Sequence, residues 1–123
     1  MIRTMLQAKL HRVRVTHAIL DYEGSCGIDR SLLQASGMQA NQYIEIYNVT
    51  NGERFNTYII EAPSGSGDIS LNGAAARKAQ VGDILIICTY AGYDEAEMRN
   101  HKPVVVHVGD NNSLRLPLPR AMP

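Results

Sequence analysis

The chain has no tryptophan, one phenylalanine, five prolines and two cysteines among 123 residues, and its 12 basic side chains are balanced by 12 acidic ones. Each shortage excludes something. A formal charge of zero argues against a dedicated nucleic-acid binder, which carries a strong basic excess. Cys26 and Cys88 form no metal-type spacing, so no metal site is expected. Cys88 closes the apolar run Ile84–Ile87 and reads as a buried structural thiol. No run approaches the length of a membrane span, and Met1–Leu6 is too short and too polar for a signal peptide. These readings set a reducing, cytoplasmic location as the default, with no membrane partner. The length suits one domain over residues 1–123.

Strand signals dominate what is there. Met5–Thr16 reads as a long, partly apolar strand, and Tyr43–Val49 and Arg54–Glu61 flank Asn51-Gly52, a strong signal for a type I′ hairpin turn. Pro63–Gly67 is a turn-rich loop, followed by a short strand at Ile69–Leu71. Gly82-Asp83 turns the chain into Ile84–Tyr90, and Val104–Val108 makes a final strand. Asp29 is placed to cap a helix over Arg30–Ser36, with Gly37 as its stop. Ala74–Ala79 is a second candidate of one or two helical turns, and Pro117 and Pro119 mark an irregular tail. Many short strands and few short helices indicate a mainly β fold, a small closed barrel rather than an open sheet.

The stretch with the most chemistry is Tyr22-Glu23-Gly24-Ser25-Cys26. By itself Gly-Ser is a common turn dipeptide. A serine hydroxyl directly after glycine can nevertheless reach the preceding carbonyl with little steric opposition. Nucleophile and target are already neighbours, so orientation replaces much of a bimolecular entropy cost.

Around it stand Lys9-Leu10-His11-Arg12-Val13, Val15-Thr16-His17, Asn48-Val49-Thr50-Asn51-Gly52, Thr57-Tyr58 and Asn72-Gly73-Ala74-Ala75-Ala76. In this order and at these spacings the set resembles the aspartate 1-decarboxylases, pyruvoyl-dependent enzymes that make β-alanine. The resemblance is dense from Met1 to about Cys88 and fades after Tyr90. It implies a double-psi β-barrel, self-cleavage between Gly24 and Ser25, and a covalent pyruvoyl cofactor made from Ser25. The pieces would be residues 1–24 and 25–123. It also implies the substrate L-aspartate, a place in pantothenate and coenzyme A synthesis, a homotetramer with sites between subunits, and in some relatives an accessory maturation protein.

Residue roles follow from the same resemblance. Ser25 is the processing nucleophile and cofactor source, Thr57 the donor to the oxyanion formed on Gly24, and Tyr58 the proton donor to the α-carbon. Lys9, Arg54, Thr57, Gly73, Ala74 and Ala75 bind substrate, with His11, Tyr22 and Asn72 as supporting residues. The chemistry is coherent. Decarboxylation leaves electrons on the α-carbon, and a Schiff base to an electron-withdrawing carbonyl spreads them. Arg54 offers a planar fork for a carboxylate and Lys9 a point charge. A phenol keeps its proton at neutral pH, as a donor must.

Read singly, the same residues have plainer meanings. Thr57 is a β-branched strand residue, Tyr58 a packing aromatic, Arg54 and Lys9 solvated charges, and Gly73–Ala75 a turn into an Ala-rich helix. Thr57 and Tyr58 cannot both face one pocket from an ideal strand, which requires a bulge or a pocket wrapping the strand edge. Two alternatives stay open: a pyruvoyl decarboxylase for another acidic amino acid such as glutamate, and a non-catalytic oligomeric barrel using the basic Lys9–His17 strand to bind nucleic acid or protein.

Overall fold

Apolar alternation in the first strand builds one wall of the core. In the computed structural model, which describes residues 1–115 and the backbone of 120–121, β1 spans Arg3–Arg14 and buries Ala8, Leu10 and Val13. Leu10 and Val13 are three apart, which a regular strand would send to opposite faces. A register shift between His11 and Val13, with Arg12 at φ 65°, inserts the extra residue that returns Val13 to the core.

The remaining elements are β2 (His17–Ile19), β3 (Ser25–Asp29), α1 (Arg30–Ser36), β4 (Tyr43–Asn48), β5 (Arg54–Ala62), β6 (Ile69–Asn72), a 3-10 turn (Gly73–Arg77), β7 (Ile84–Tyr93), α2 (Glu95–Met98), β8 (Val104–His107), a second 3-10 turn (Asp110–Asn112) and β9 (Arg120–Ala121). The strands form one sheet in the order β2-β6-β3-β5-β4-β7-β1-β8-β9. β1 lies near one end of that order, yet its continuation β2 pairs with β6 at the other. The Thr16 amide, between them, donates to the Ile69 carbonyl at 2.8 Å. One stretch therefore serves both ends, and the sheet rolls into a barrel.

The class is the expected one, a small mainly β barrel with short helices. β1–β8, β2–β6 and β3–β5 pair in parallel, within a sheet whose other pairs are antiparallel. Leu10, Ile28, Leu32, Ile44, Ile46, Ile59, Ile69, Leu71, Leu85 and Ile87 fill the interior with no exposure.

Asp29 ends β3 and caps α1, as its position foretold. Its carboxylate accepts from the Ser31 amide at 2.8 Å and hydroxyl at 2.7 Å, and from the Gly65 and Gly67 amides at 3.0 and 2.8 Å. This ties the Pro63–Gly67 loop to the strand that begins at Ser25. Gly37 closes α1 in the left-handed region at φ 80°.

Four expectations need correction. The β4–β5 hairpin forms, but not through a type I′ turn, because Gly52 has positive φ and Asn51 does not. The Asn48 carboxamide instead accepts from the Thr50 and Asn51 amides at 2.9 and 3.2 Å, shaping a longer loop. The second helix is a 3-10 turn over Gly73–Arg77 rather than Ala74–Ala79. β7 runs three residues past Tyr90, to Tyr93. β3 was not foreseen at all: all five of its residues are buried, and a strand covered on both faces has no alternation to read. The tail expected at Pro117 and Pro119 lies outside the described residues.

Candidate active site

β3 carries Ser25 into the barrel wall. Ser25 pairs with Asn72 of β6 and is 1% exposed. Asn72 Nδ2 donates to Ser25 Oγ at 3.1 Å, and the Ser25 hydroxyl donates to the Glu23 carbonyl at 3.2 Å. The Ser70 hydroxyl donates to Asn72 Oδ1 at 2.9 Å, which fixes the carboxamide so that its N–H faces the serine. The nucleophile is thus held by hydrogen bonds on both sides rather than free to rotate.

Gly73 closes the other side. It sits at φ 66°, and a Cβ there would meet Gly24 Cα, Gly24 N and the Tyr22 carbonyl oxygen, each at 2.8 Å. Those are backbone atoms that cannot swing aside, so only glycine lets the start of the 3-10 turn press on the Gly24–Ser25 segment. Gly24 itself has open space where its side chain would be. Ala75 is buried and Ala74 exposed, while the Tyr22 ring projects outward.

Thr57 and Tyr58 sit where β5 acquires its second neighbour. β4 pairs with β5 along Arg54–Tyr58, whereas β3 joins the opposite edge only from Ile59, opposite Cys26. The register shows no bulge at Thr57-Tyr58. The edge of β5 beside them is unpaired on the β3 side up to Tyr58. The β3–β5 pairing begins one residue beyond Ser25 and Tyr58, at Cys26 and Ile59, and Tyr58 is exposed whereas Ser25 is buried. The Thr57 hydroxyl has no hydrogen-bond partner among the described residues.

The cations stand elsewhere. Lys9 and His11 share the outer face of β1, and Lys9 pairs with Cys88 of β7 and Val105 of β8. The His11 ring meets His107 edge-on at 5.3 Å, and its Nδ1 is buried without a partner. Burial, then the neighbouring His107, Lys9 and Arg12, lowers the His11 pKa. β1 and β3 share no pairing in the sheet order. Arg54 lies four residues from Tyr58, about 13 Å along β5. The fold therefore brings together Ser25, Gly24, Asn72 and Gly73, and no hydrogen bond or ion pair among the described residues joins Lys9, Arg54, Thr57 or Tyr58 to them.

Asn72 bonds Ser25 directly, and Ser70, which bonds Asn72 in turn, was missed. Their i, i+2 spacing on one strand face was the available signal. Tyr47, which stacks on Arg54, and Tyr90, which bonds Tyr47, also gave no sequence signal. Burial pushes the Cys26 thiol up to about 12, so it stays protonated beside Ser25. Burial also raises Cys88, partly offset by Tyr90, Lys9 and Arg54. Among the described residues there is no metal-binding cluster, and no helix is long and apolar enough to cross a membrane.

Comparison with known proteins places the chain in a family. The family described as aspartate decarboxylase matches residues 1–115. The aspartate 1-decarboxylase of Bordetella avium (strain 197N) is 65% identical over 115 residues, covering 94% of each chain. That of Methylibium petroleiphilum is 64% identical over 114 residues, covering 93% of this chain and 95% of the relative. That of Ralstonia nicotianae is 63% identical over 115 residues, covering 94% and 96%. With a buried Gly-Ser junction framed by Asn72 and Gly73, and with relatives matched over nearly their whole length, this chain belongs to the aspartate decarboxylase family.

Proposed function

We propose that the chain cuts itself between Gly24 and Ser25 and then decarboxylates L-aspartate to β-alanine and carbon dioxide, supplying pantothenate and coenzyme A synthesis. The observation that carries this reading is the Ser25 hydroxyl, 1% exposed and held by Asn72 Nδ2 at 3.1 Å.

Ser25 Oγ attacks the Gly24 carbonyl carbon, and the backbone nitrogen of Ser25 leaves as an amine, giving an ester. Loss of the Ser25 α-proton breaks the Cβ–Oγ bond and frees the Gly24 carboxylate. Water then replaces the nitrogen at position 25, releasing ammonia and leaving a ketone. Thr57, on the open edge of β5, donates to the oxyanion of the first step. β1 stays paired to β7 and β8, which retains residues 1–24 after the cut.

The residues present suit a pyruvoyl group. Position 25 has a buried side-chain donor in Asn72, and Gly73 leaves a space that any Cβ would fill. The carbonyl of that group supplies the sink for the electrons released with carbon dioxide. Tyr58 Oη holds the proton that the α-carbon takes up. Gly73, Ala74 and Ala75 line the substrate beside Ser25. Arg54 and Lys9 bind carboxylates, and each such charge-assisted bond contributes about 1.5–3 kcal/mol.

Lys9 and Arg54 have no hydrogen bond or ion pair with the Ser25 cluster among the described residues. In this reading a second protomer supplies the cations to each Ser25, in a homotetramer with sites between subunits.

Intact mass tests the reading. The wild-type protein should yield residues 1–24 and 25–123, the second piece gaining mass with a carbonyl-trapping reagent. Ser25→Ala should stay folded, uncut and inactive. β-Alanine production by that variant would end the proposal.

A further inference from the structure

We infer that Tyr47, braced by Tyr90, is the positioning residue that presents Arg54 to a substrate carboxylate; this rests on reading Arg54 as a carboxylate-binding side chain. Arg54 and Tyr47 are register partners across β4–β5, and the guanidinium carbon lies 3.9 Å from the Tyr47 ring centroid. The Tyr47 hydroxyl in turn meets the Tyr90 hydroxyl of β7 at 2.9 Å. Three strands thus contribute one stack: β5 the cation, β4 the ring beneath it, and β7 the bond that fixes the ring.

A ring suits this purpose better than a carboxylate. An acidic partner would occupy the planar N–H donors that a substrate carboxylate needs. Stacking on a π-face attracts the cation while leaving those in-plane donors free. Glu45, two residues before Tyr47 on the same strand face, is the acid placed to compete. Its carboxylate instead accepts from the Tyr43 hydroxyl at 3.0 Å, and Arg54 has no ion-pair partner among the described residues. Holding Arg54 in one orientation before substrate arrives reduces the ordering cost of binding.

The test uses fully self-cleaved protein and steady-state kinetics with L-aspartate. Tyr47→Leu should raise KM about 2- to 30-fold, the range expected on losing a cation–π contact, with kcat within about twofold. Tyr47→Phe and Tyr47→Trp keep a ring and should restore most of the affinity. Tyr90→Phe, which loses only the phenol–phenol bond, should raise KM by about twofold to threefold. In an Arg54→Ala background, Tyr47→Leu should add nothing further. An Arg54→Ala variant with unchanged KM would defeat the reading of Arg54 itself. A raised KM in Arg54→Ala together with a normal KM in Tyr47→Leu would overturn the role of Tyr47 alone. So would a Tyr47→Leu effect confined to kcat and thermal midpoint, or one that persists undiminished without Arg54.

Discussion

Gly73→Ala separates two costs that the structure combines at one residue. The first is backbone strain: an L-residue in the left-handed region loses about 1–2 kcal/mol. The second is contact, because the added Cβ would lie 2.8 Å from Gly24 Cα, Gly24 N and the Tyr22 carbonyl oxygen. Relieving that overlap requires backbone movement of roughly half an ångström or more, at about 1–3 kcal/mol by analogy with overpacked cores. The total is about 2–5 kcal/mol. Gly82 is the control, since it sits at φ 94° with open space around it, and Gly82→Ala carries the strain alone. Both substitutions belong in a Ser25→Ala background, where denaturant unfolding compares uncut chains. In the chain with Ser25 intact, moving Gly24 should also misalign its carbonyl from Oγ, and misplacements near 1 Å cost about 100-fold in rate. Intact mass against time reads that out. Equal stability of the two variants, with Gly73→Ala cutting at the wild-type pace, would refute the claim that Gly73 is a spacer on the scissile segment.

Two further outcomes follow from the geometry. Thr57→Ala should leave stability within about 1 kcal/mol, because its hydroxyl has no partner among the described residues, yet slow self-cleavage about 100-fold, the worth of one oxyanion donor; maturation at the usual rate by intact mass would remove Thr57 from that role. For Asp29, burial alone would raise the carboxyl, but bonds from the Ser31 hydroxyl and the Gly67, Ser31 and Gly65 amides hold it below its usual value. A depressed carboxyl stabilises the fold above its unfolded value, near pH 4, and that contribution is lost as pH falls through the lower folded value. Asp29→Asn in the Ser25→Ala background should therefore cost about 2 kcal/mol at pH 7, with the gap to the parent narrowing below about pH 4; a gap in urea midpoint that stays constant with pH would contradict this.

Much of the architecture was legible because its signals are local. Alternation announced β1, β4 and β5, and Asp29 and Gly37 bracketed α1 through the dihedrals and donors that helix ends require. β3 was hidden because its two covered faces erase alternation. The type I′ reading of Asn51-Gly52 failed because the Asn48 carboxamide competed for the loop amides. At the site, Ser25 and Gly73 were visible as residue types in a pattern. The bond from Asn72 to Ser25 was not, because it joins β6 to β3 across 47 residues of chain.

The sequence by itself determined a mainly β chain, its family resemblance, and a glycine–serine junction capable of attack on its own backbone, since these depend on residue identity and short-range spacing. The tertiary structure alone decided that Asn72 and Ser70 from β6 hold that junction, and that Tyr47, bonded to Tyr90, stacks on Arg54. It also decided that Lys9 stands on a different wall from Ser25. Strand order and register set those distances, and both are fixed by burial of the whole barrel rather than by any one segment.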